Sequence, residues 1–261
     1  MWVACLEVTA FAVGGISAWC LLKNRHVPFF LKSFKIAVIA AIVVTPLQIY
    51  LGDGSGRTVY THQPEKLAAI EAHWNTNKPG EGAPWKLLAW PDTAEQNNRW
   101  EIKIPYALSI ITTHSLTGEV KGLKDFQRDM QPPIVLPFYA FRVMILMGFF
   151  LFFLMLITVL AWYRGQLTAE QIKNHRGMLY AWMAALPLSF VAMETGWLTR
   201  EVGRQPWIIY GMLRTAHASS DLPANAVAAS LVAFTSIYLV LLAVCLFFSR
   251  RIIMKGPDIG D

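Results

Sequence analysis

Charge is scarce in this chain: Asp, Glu, Lys and Arg make up 15% of its 261 residues, against 55% hydrophobic ones. Soluble domains carry nearer a quarter charged residues, so lipid is the solvent that this composition suits. Cysteine is nearly missing. Cys5, Cys20 and Cys245 lie inside apolar windows, at spacings that fit neither a zinc knuckle nor a disulfide framework, and read as helix-packing residues. Histidine is absent from every long apolar window, and there is no internal repeat or low-complexity tract.

Present instead are five windows with little or no charge: 1–22, 36–52, 137–163, 178–199 and 222–249. Each is about long enough to cross a ~30 Å hydrocarbon core. Continuous apolar runs exclude a soluble globular enzyme, a disordered chain and an outer-membrane barrel, whose strands would alternate. An all-α integral membrane protein with about five transmembrane helices remains. The net charge of +6 does not point to nucleic acid, because the basic residues sit in particular loops and do not line a face interleaved with aromatics.

Loop charge orients the spans. Lys23, Arg25, Lys32 and Lys35, then Arg164, Lys173 and Arg176, then Arg250, Arg251 and Lys255 face only Glu170, Asp258 and Asp261 as acids, which places those loops and the C-terminus in the cytoplasm. The segment 53–136 and the loop 200–221 are nearly balanced in charge and fall outside. The sides then alternate over five spans without contradiction.

The segment 53–136 is too long and mixed for a simple connector. Gly52-Asp53-Gly54-Ser55-Gly56, Lys78-Pro79-Gly80, Trp90-Pro91-Asp92 and Gln131-Pro132-Pro133 divide it into short pieces. Between them, 64–74 reads as a short helix with Leu67, Ile70 and Trp74 on one stripe and Lys66 and Glu71 pointing away from it. A second helix-like stretch, 104–115, suits an interface.

Ionisable groups at membrane depth are expensive, which singles out Glu7, Arg142 and Glu194. Each is either a functional group or a charge near a helix end that snorkels or pairs. Phe141-Arg142-Val143-Met144 sets a thioether two residues from a cation. Methionine is usually core filler, but thioether ligation is also a way of raising the potential of haem iron. A bis-histidine haem within these five helices is excluded. The stretch from Glu194 to Trp207 gathers acids, arginines and tryptophans where the fourth span ends. It is either an interfacial anchor or a site in which the carboxylate of Glu201 and the guanidinium of Arg204 bind an iron or a propionate. Gly203 and Pro206 argue against an ordinary helix exit.

Gly196-Trp197 followed by Glu201-Val202-Gly203-Arg204-Gln205-Pro206-Trp207 resembles the GWxxxExGRQPW signature of subunit I of cytochrome bd-type ubiquinol oxidases. Further matches, in the family's order, are Gly15-Ile16-Ser17-Ala18-Trp19, Lys66-Leu67-Ala68-Ala69-Ile70-Glu71, Ile104-Pro105-Tyr106-Ala107-Leu108, Gly122-Leu123-Lys124 and Phe141-Arg142-Val143-Met144.

The resemblance implies a haem-containing subunit of a quinol:oxygen oxidoreductase, a multi-pass protein of the bacterial inner membrane that oxidises ubiquinol or menaquinol and pairs with a second subunit. By it, Met144 is an axial ligand of the low-spin haem b, with Arg142 supporting the haem's charge. Glu201 is the carboxylate associated with the high-spin haem b, with Trp197 and Arg204 packed around the haems. Lys66 and Glu71 are the quinol residues of a periplasmic Q-loop. The domains implied are 1–52, two transmembrane helices; 53–136, the Q-loop; and 137–261, three transmembrane helices with a haem-binding outer loop.

The Q-loop is similar to the short, cyanide-insensitive type, which leaves the third haem as haem d or another haem b. The resemblance covers only the C-terminal portion of the subunit, so the chain is expected to be N-terminally truncated and to lack the histidine that pairs with Met144. The alternative is a decayed fragment or a membrane scaffold without a redox role.

Overall fold

The computed structural model describes residues 2–218, 220 and 222–257. Among these residues five helices are long and apolar enough to cross a membrane: α1 (Trp2–Leu22), α2 (Val27–His62), α5 (Val135–Tyr163), α6 (Arg176–Val202) and α7 (Ala224–Lys255). They contain the five apolar windows, with the ends of 1–22 and 222–249 running just past α1 and α7. The chain divides into a unit ending at His217 and a second beginning at Ala218, which is built on α7.

Between α2 and α5 lie the short helices α3 (Pro64–Ile70) and α4 (Ala107–Thr113), and the strands β1 (Trp85–Asp92) and β2 (Asn97–Ile104), paired as an antiparallel hairpin. A smaller hairpin of β3 (Trp207–Ile209) and β4 (Leu213–Arg214) follows α6. The mostly helical architecture matches expectation, and the hairpins add to it. Irregular pairing at 86–88 and 89–91 breaks the two-residue period, so the alternation that announces a strand is missing from β1.

Within the first unit α1 packs on α2 and α6, and α5 packs on α6 and α2. The fully buried Trp182 of α6 is the centre of this packing. Its ring stacks on Phe11 at 5.0 Å and meets Phe34 edge-on at 5.1 Å, and its indole N–H donates to Thr158 Oγ1 of α5 at 2.7 Å. Gly14 and Gly15 admit it. A Cβ at 14 would fall on the Trp182 ring, and one at 15 would lie 2.8 Å from the Trp182 carbonyl oxygen. Small residues at such a crossing let backbones approach where lipid offers no hydrophobic drive for association.

The reading of Gly52 to Gly56 as punctuation is corrected. Helix α2 runs through these glycines to His62, 36 residues in all. At 1.5 Å per residue that is about 54 Å, well beyond the hydrocarbon core. Two things override the glycines. Arg57 pairs with Asp53 at 3.0 Å across them. Beyond them, Val59 and Tyr60 pack on Leu67, Ile70, Ala83, Leu108 and Val120, and Tyr60 donates to the Glu119 carbonyl at 2.9 Å.

Candidate functional site

Four charged residues of the segment between α2 and α5, Glu65, Lys66, Glu71 and Lys86, are buried. Pro64 at the first turn starts α3, and its last turn places Glu71 in the capping position. Glu71 is 4% exposed, and Arg142, in the third turn of α5, donates through Nη2 to its Oε2 at 2.6 Å. Nε of the same guanidinium donates to the Lys86 carbonyl of β1 at 2.7 Å. Phe138, Trp85 and Phe141 surround it, with ring centroids 4.5, 5.5 and 5.6 Å from its central carbon. Burial pushes the Glu71 carboxyl above its ordinary value, against the downward pull of Arg142 and Lys86.

Lys66 and Glu71 were expected together on one face of a helix covering 64–74, away from its apolar stripe. The structure corrects this: α3 ends at Ile70, both residues are buried, and they engage different spans. Nζ of Lys66 donates to the Arg200 carbonyl in the last turn of α6 at 3.0 Å, a favourable place for a cation at a helix C-terminus. Gly203 makes room, since a Cβ there would lie 3.3 Å from Lys66 Cε. Burial, then the charges of Arg204 and Arg200, hold the ammonium below its ordinary value. Its neighbour Glu65, also buried, accepts a hydrogen bond from Tyr210 at 3.1 Å.

Met144, half-buried on α5, turns its sulfur towards α6, where a Cβ at Gly196 would lie only 2.9 Å from Sδ. Glu201 and Arg204 form an ion pair of 2.7 Å, each about a third exposed, and the Trp197 side chain is half exposed. Glu7 is half-buried in α1 and Glu194 is exposed on α6. Hence Arg142 and Glu71 meet, Lys66 meets the end of α6, and Glu201 meets Arg204.

Three residues of this region were not singled out in the sequence. Lys86 of β1 is 6% exposed, and its Nζ lies 3.2 Å from Nδ1 of buried His73; His73 Nε2 lies 3.2 Å from the Val120 carbonyl. With Nε2 donating to that carbonyl, Nδ1 accepts from Lys86. Burial and the charge of Lys86 lower His73 to about 4, and burial lowers Lys86 to about 8. Glu101 of β2 is held by Asn98 at 2.8 Å and Lys103 at 3.0 Å. The one signal available was a lysine and a histidine among aromatic and apolar neighbours.

The donors suit one edge of a haem. Nη1 of Arg142 is a buried N–H group with no partner, which a haem propionate would satisfy. Two residues on, the Met144 thioether faces a glycine. Among the described residues no group of three His, Cys, Asp or Glu side chains is gathered around a metal position.

Fold and site together define an α-helical integral membrane protein with a buried, charge-paired site where its spans meet a partly folded connecting segment. Residues 1–257 match the family described as cytochrome bd terminal oxidase subunit I, and the chain belongs to that family. It is 33% identical to cytochrome bd ubiquinol oxidase subunit 1 of Bacillus subtilis (strain 168), over 97% of this chain and 55% of that protein. It is 29% identical to cytochrome bd-II ubiquinol oxidase subunit 1 of Escherichia coli (strain K12), over 95% of this chain and 60% of that one. The solved bd oxidase of Geobacillus thermodenitrificans superposes with a TM-score of 0.83 at 30% identity, over 98% of this chain and 56% of the solved one. The chain thus spans little more than half the length of these relatives.

Proposed function

We propose that the chain serves a quinol:oxygen oxidoreductase of aerobic respiration, in which quinol is oxidised at Glu71 and Lys66 and oxygen is reduced to water. The observation that carries this reading is the buried Glu71–Arg142 pair of 2.6 Å. It ties a carboxylate that can take a proton to the turn of α5 that bears Met144. Glu71, with its carboxyl raised by burial, accepts the quinol proton. Lys66 has three N–H donors and spends one on the Arg200 carbonyl, so it has others to orient a quinol oxygen.

Met144 would ligate the iron of the low-spin haem b, with Arg142 on its propionate. Glu201, Trp197 and Arg204 would serve the high-spin haem b, and the third haem is haem d or another haem b. When bound, the haems carry electrons singly from quinol towards oxygen. The exposed apolar side chains of α2 and α5, among them Ile39, Val43, Phe149 and Phe153, support contact with lipid and with the second subunit. The segment between α2 and α5 is then the periplasmic Q-loop, and the C-terminus is cytoplasmic.

In the assembled oxidase, Glu71→Gln is expected to lower quinol turnover about 10²-fold, the lower end of a general-base contribution, at unchanged haem content. Turnover equal to the parent's would remove Glu71 from the mechanism. Met144→Leu is expected to alter the low-spin band of the reduced-minus-oxidised spectrum and leave the others in place. An unaltered spectrum would return Met144 to helix packing.

A further inference from the structure

A carboxylate that takes a proton from each quinol must pass it on before the next arrives, and Glu71 is buried. We propose that Lys86, flanked by His73 and Glu101, is the proton outlet of the Glu71 site, delivering protons to the water-exposed face of β2. The inference rests on the quinol reading of Glu71 and adds residues that neither the motifs nor the charge pattern single out.

The Arg142 guanidinium holds the Glu71 carboxylate through Nη2 and the Lys86 backbone carbonyl through Nε, so one side chain ties the carboxylate to the strand that carries Lys86. A guanidinium does not release its proton, and Arg142 therefore positions without conducting. His73 is committed by its Nε2 to the Val120 carbonyl and offers Nδ1 to Lys86, which seats the ammonium without adding charge. On the far side, Lys86 pairs in register with Lys103, and Glu101 lies two residues along the same face of β2. The side chains of Glu101 and Lys103 are 24% and 53% exposed, so this face reaches water.

The charged groups around Lys86 are Glu71 at the end of α3, Arg142 of α5, and Glu101 and Lys103 of β2, with His73 neutral beside it and Asp125 facing the histidine. While Glu71 is ionised, its charge helps to hold the Lys86 ammonium. Once Glu71 takes the quinol proton, Lys86 and Arg142 are left as two buried cations with less opposing charge. An N–H bond of Lys86 then breaks and an O–H bond forms on water at the face of Glu101, whose carboxylate, held below its ordinary value against burial by Asn98 and Lys103, stays ionised and draws the proton out. The neutral amine takes the proton of the Glu71 carboxyl, and the starting state returns. No electron moves in these steps. A lysine lowered to about 8 can make the exchange near neutral pH.

Lys86→Arg keeps the cation and its donor but cannot deprotonate, which separates passage of a proton from mere charge. In membranes carrying the assembled oxidase, Lys86→Arg and Lys86→Gln are both expected to lower kcat for quinol about tenfold or more. KM and the haem spectrum should stay near the parent's. The parent's turnover should rise through an inflection near pH 8 that both variants lack. Parent-like turnover and pH profile in Lys86→Arg would overturn the outlet. Glu71→Gln run alongside separates the failures: normal turnover there overturns the quinol reading itself, whereas slow Glu71→Gln with normal Lys86→Arg overturns only the outlet. If a Lys86 variant loses its haem spectrum, Glu101→Gln, at a less buried position, decides, being slowed if the outlet is real and unaffected if it is not.

Discussion

Arg142→Met is expected to destabilise the subunit by about 3–5 kcal/mol and to abolish quinol turnover, because it strands a buried carboxylate without its counter-charge. Glu71 is 4% exposed, and its one strong partner lies at 2.6 Å, so water cannot replace the guanidinium. The Lys86 carbonyl also loses its donor, and three aromatic rings lose the cation they enclose. Thermal unfolding of the solubilised oxidase, followed by loss of the haem bands, measures the effect. Arg142→Met combined with Glu71→Gln should regain much of the loss, since neither charge is then buried alone.

The pH dependence of the single variant follows from the same geometry. Burial already raises the Glu71 carboxyl, and removing Arg142 takes away the strongest pull downwards. A carboxyl raised in the folded state binds more protons there than when unfolded. Stability is therefore lost as pH rises through that window and regained on acidification. Arg142→Met should melt higher in mild acid than at neutral pH, and a melting point that falls on acidification would contradict the burial of Glu71.

Trp182→Ala has a comparable effect by a different route. It removes the largest fully buried side chain among the described residues, the stacking partner of Phe11 and edge-on neighbour of Phe34, and leaves Gly14 and Gly15 facing a void. Emptying such a site costs about 3–5 kcal/mol in soluble cores, and the hydrogen bond to Thr158 adds about 1 kcal/mol. Trp182→Phe should lose less, because it keeps the ring and forfeits the N–H. Melting of Trp182→Ala within a degree or two of the parent would mean that α1, α5 and α6 are not joined through this residue.

The spans were legible because the membrane leaves a one-dimensional trace: twenty or more apolar residues with little or no charge, as in 137–163. Arg142 was legible for the converse reason, as a charge inside such a run. Its partner was not, since Glu71 is 71 residues earlier and nothing in local pattern joins them. The extension of α2 escaped notice because Gly52, Gly54 and Gly56 weaken a helix locally, while the contacts that hold it come from Ala83, Leu108 and Val120, far along the chain. Lys86 was overlooked because irregular strand pairing hides which of its neighbours face inwards, and a lysine is ordinarily a surface residue.

The two attachments of α3 also bear on how this region can change in length. Lys66 is fastened to the end of α6 and Glu71 to the start of α5, with only the helical residues 67–70 between them. One residue inserted there would advance the screw by about 100° and 1.5 Å, so that the carboxylate would turn away from its guanidinium. The stretch around Lys78 and Gly80, with its exposed turn, carries no such phase relation and can lengthen or shorten freely. Insertions and deletions tolerated by the connecting segment should collect at such turns, and the distance between the two anchors should stay constant to the residue.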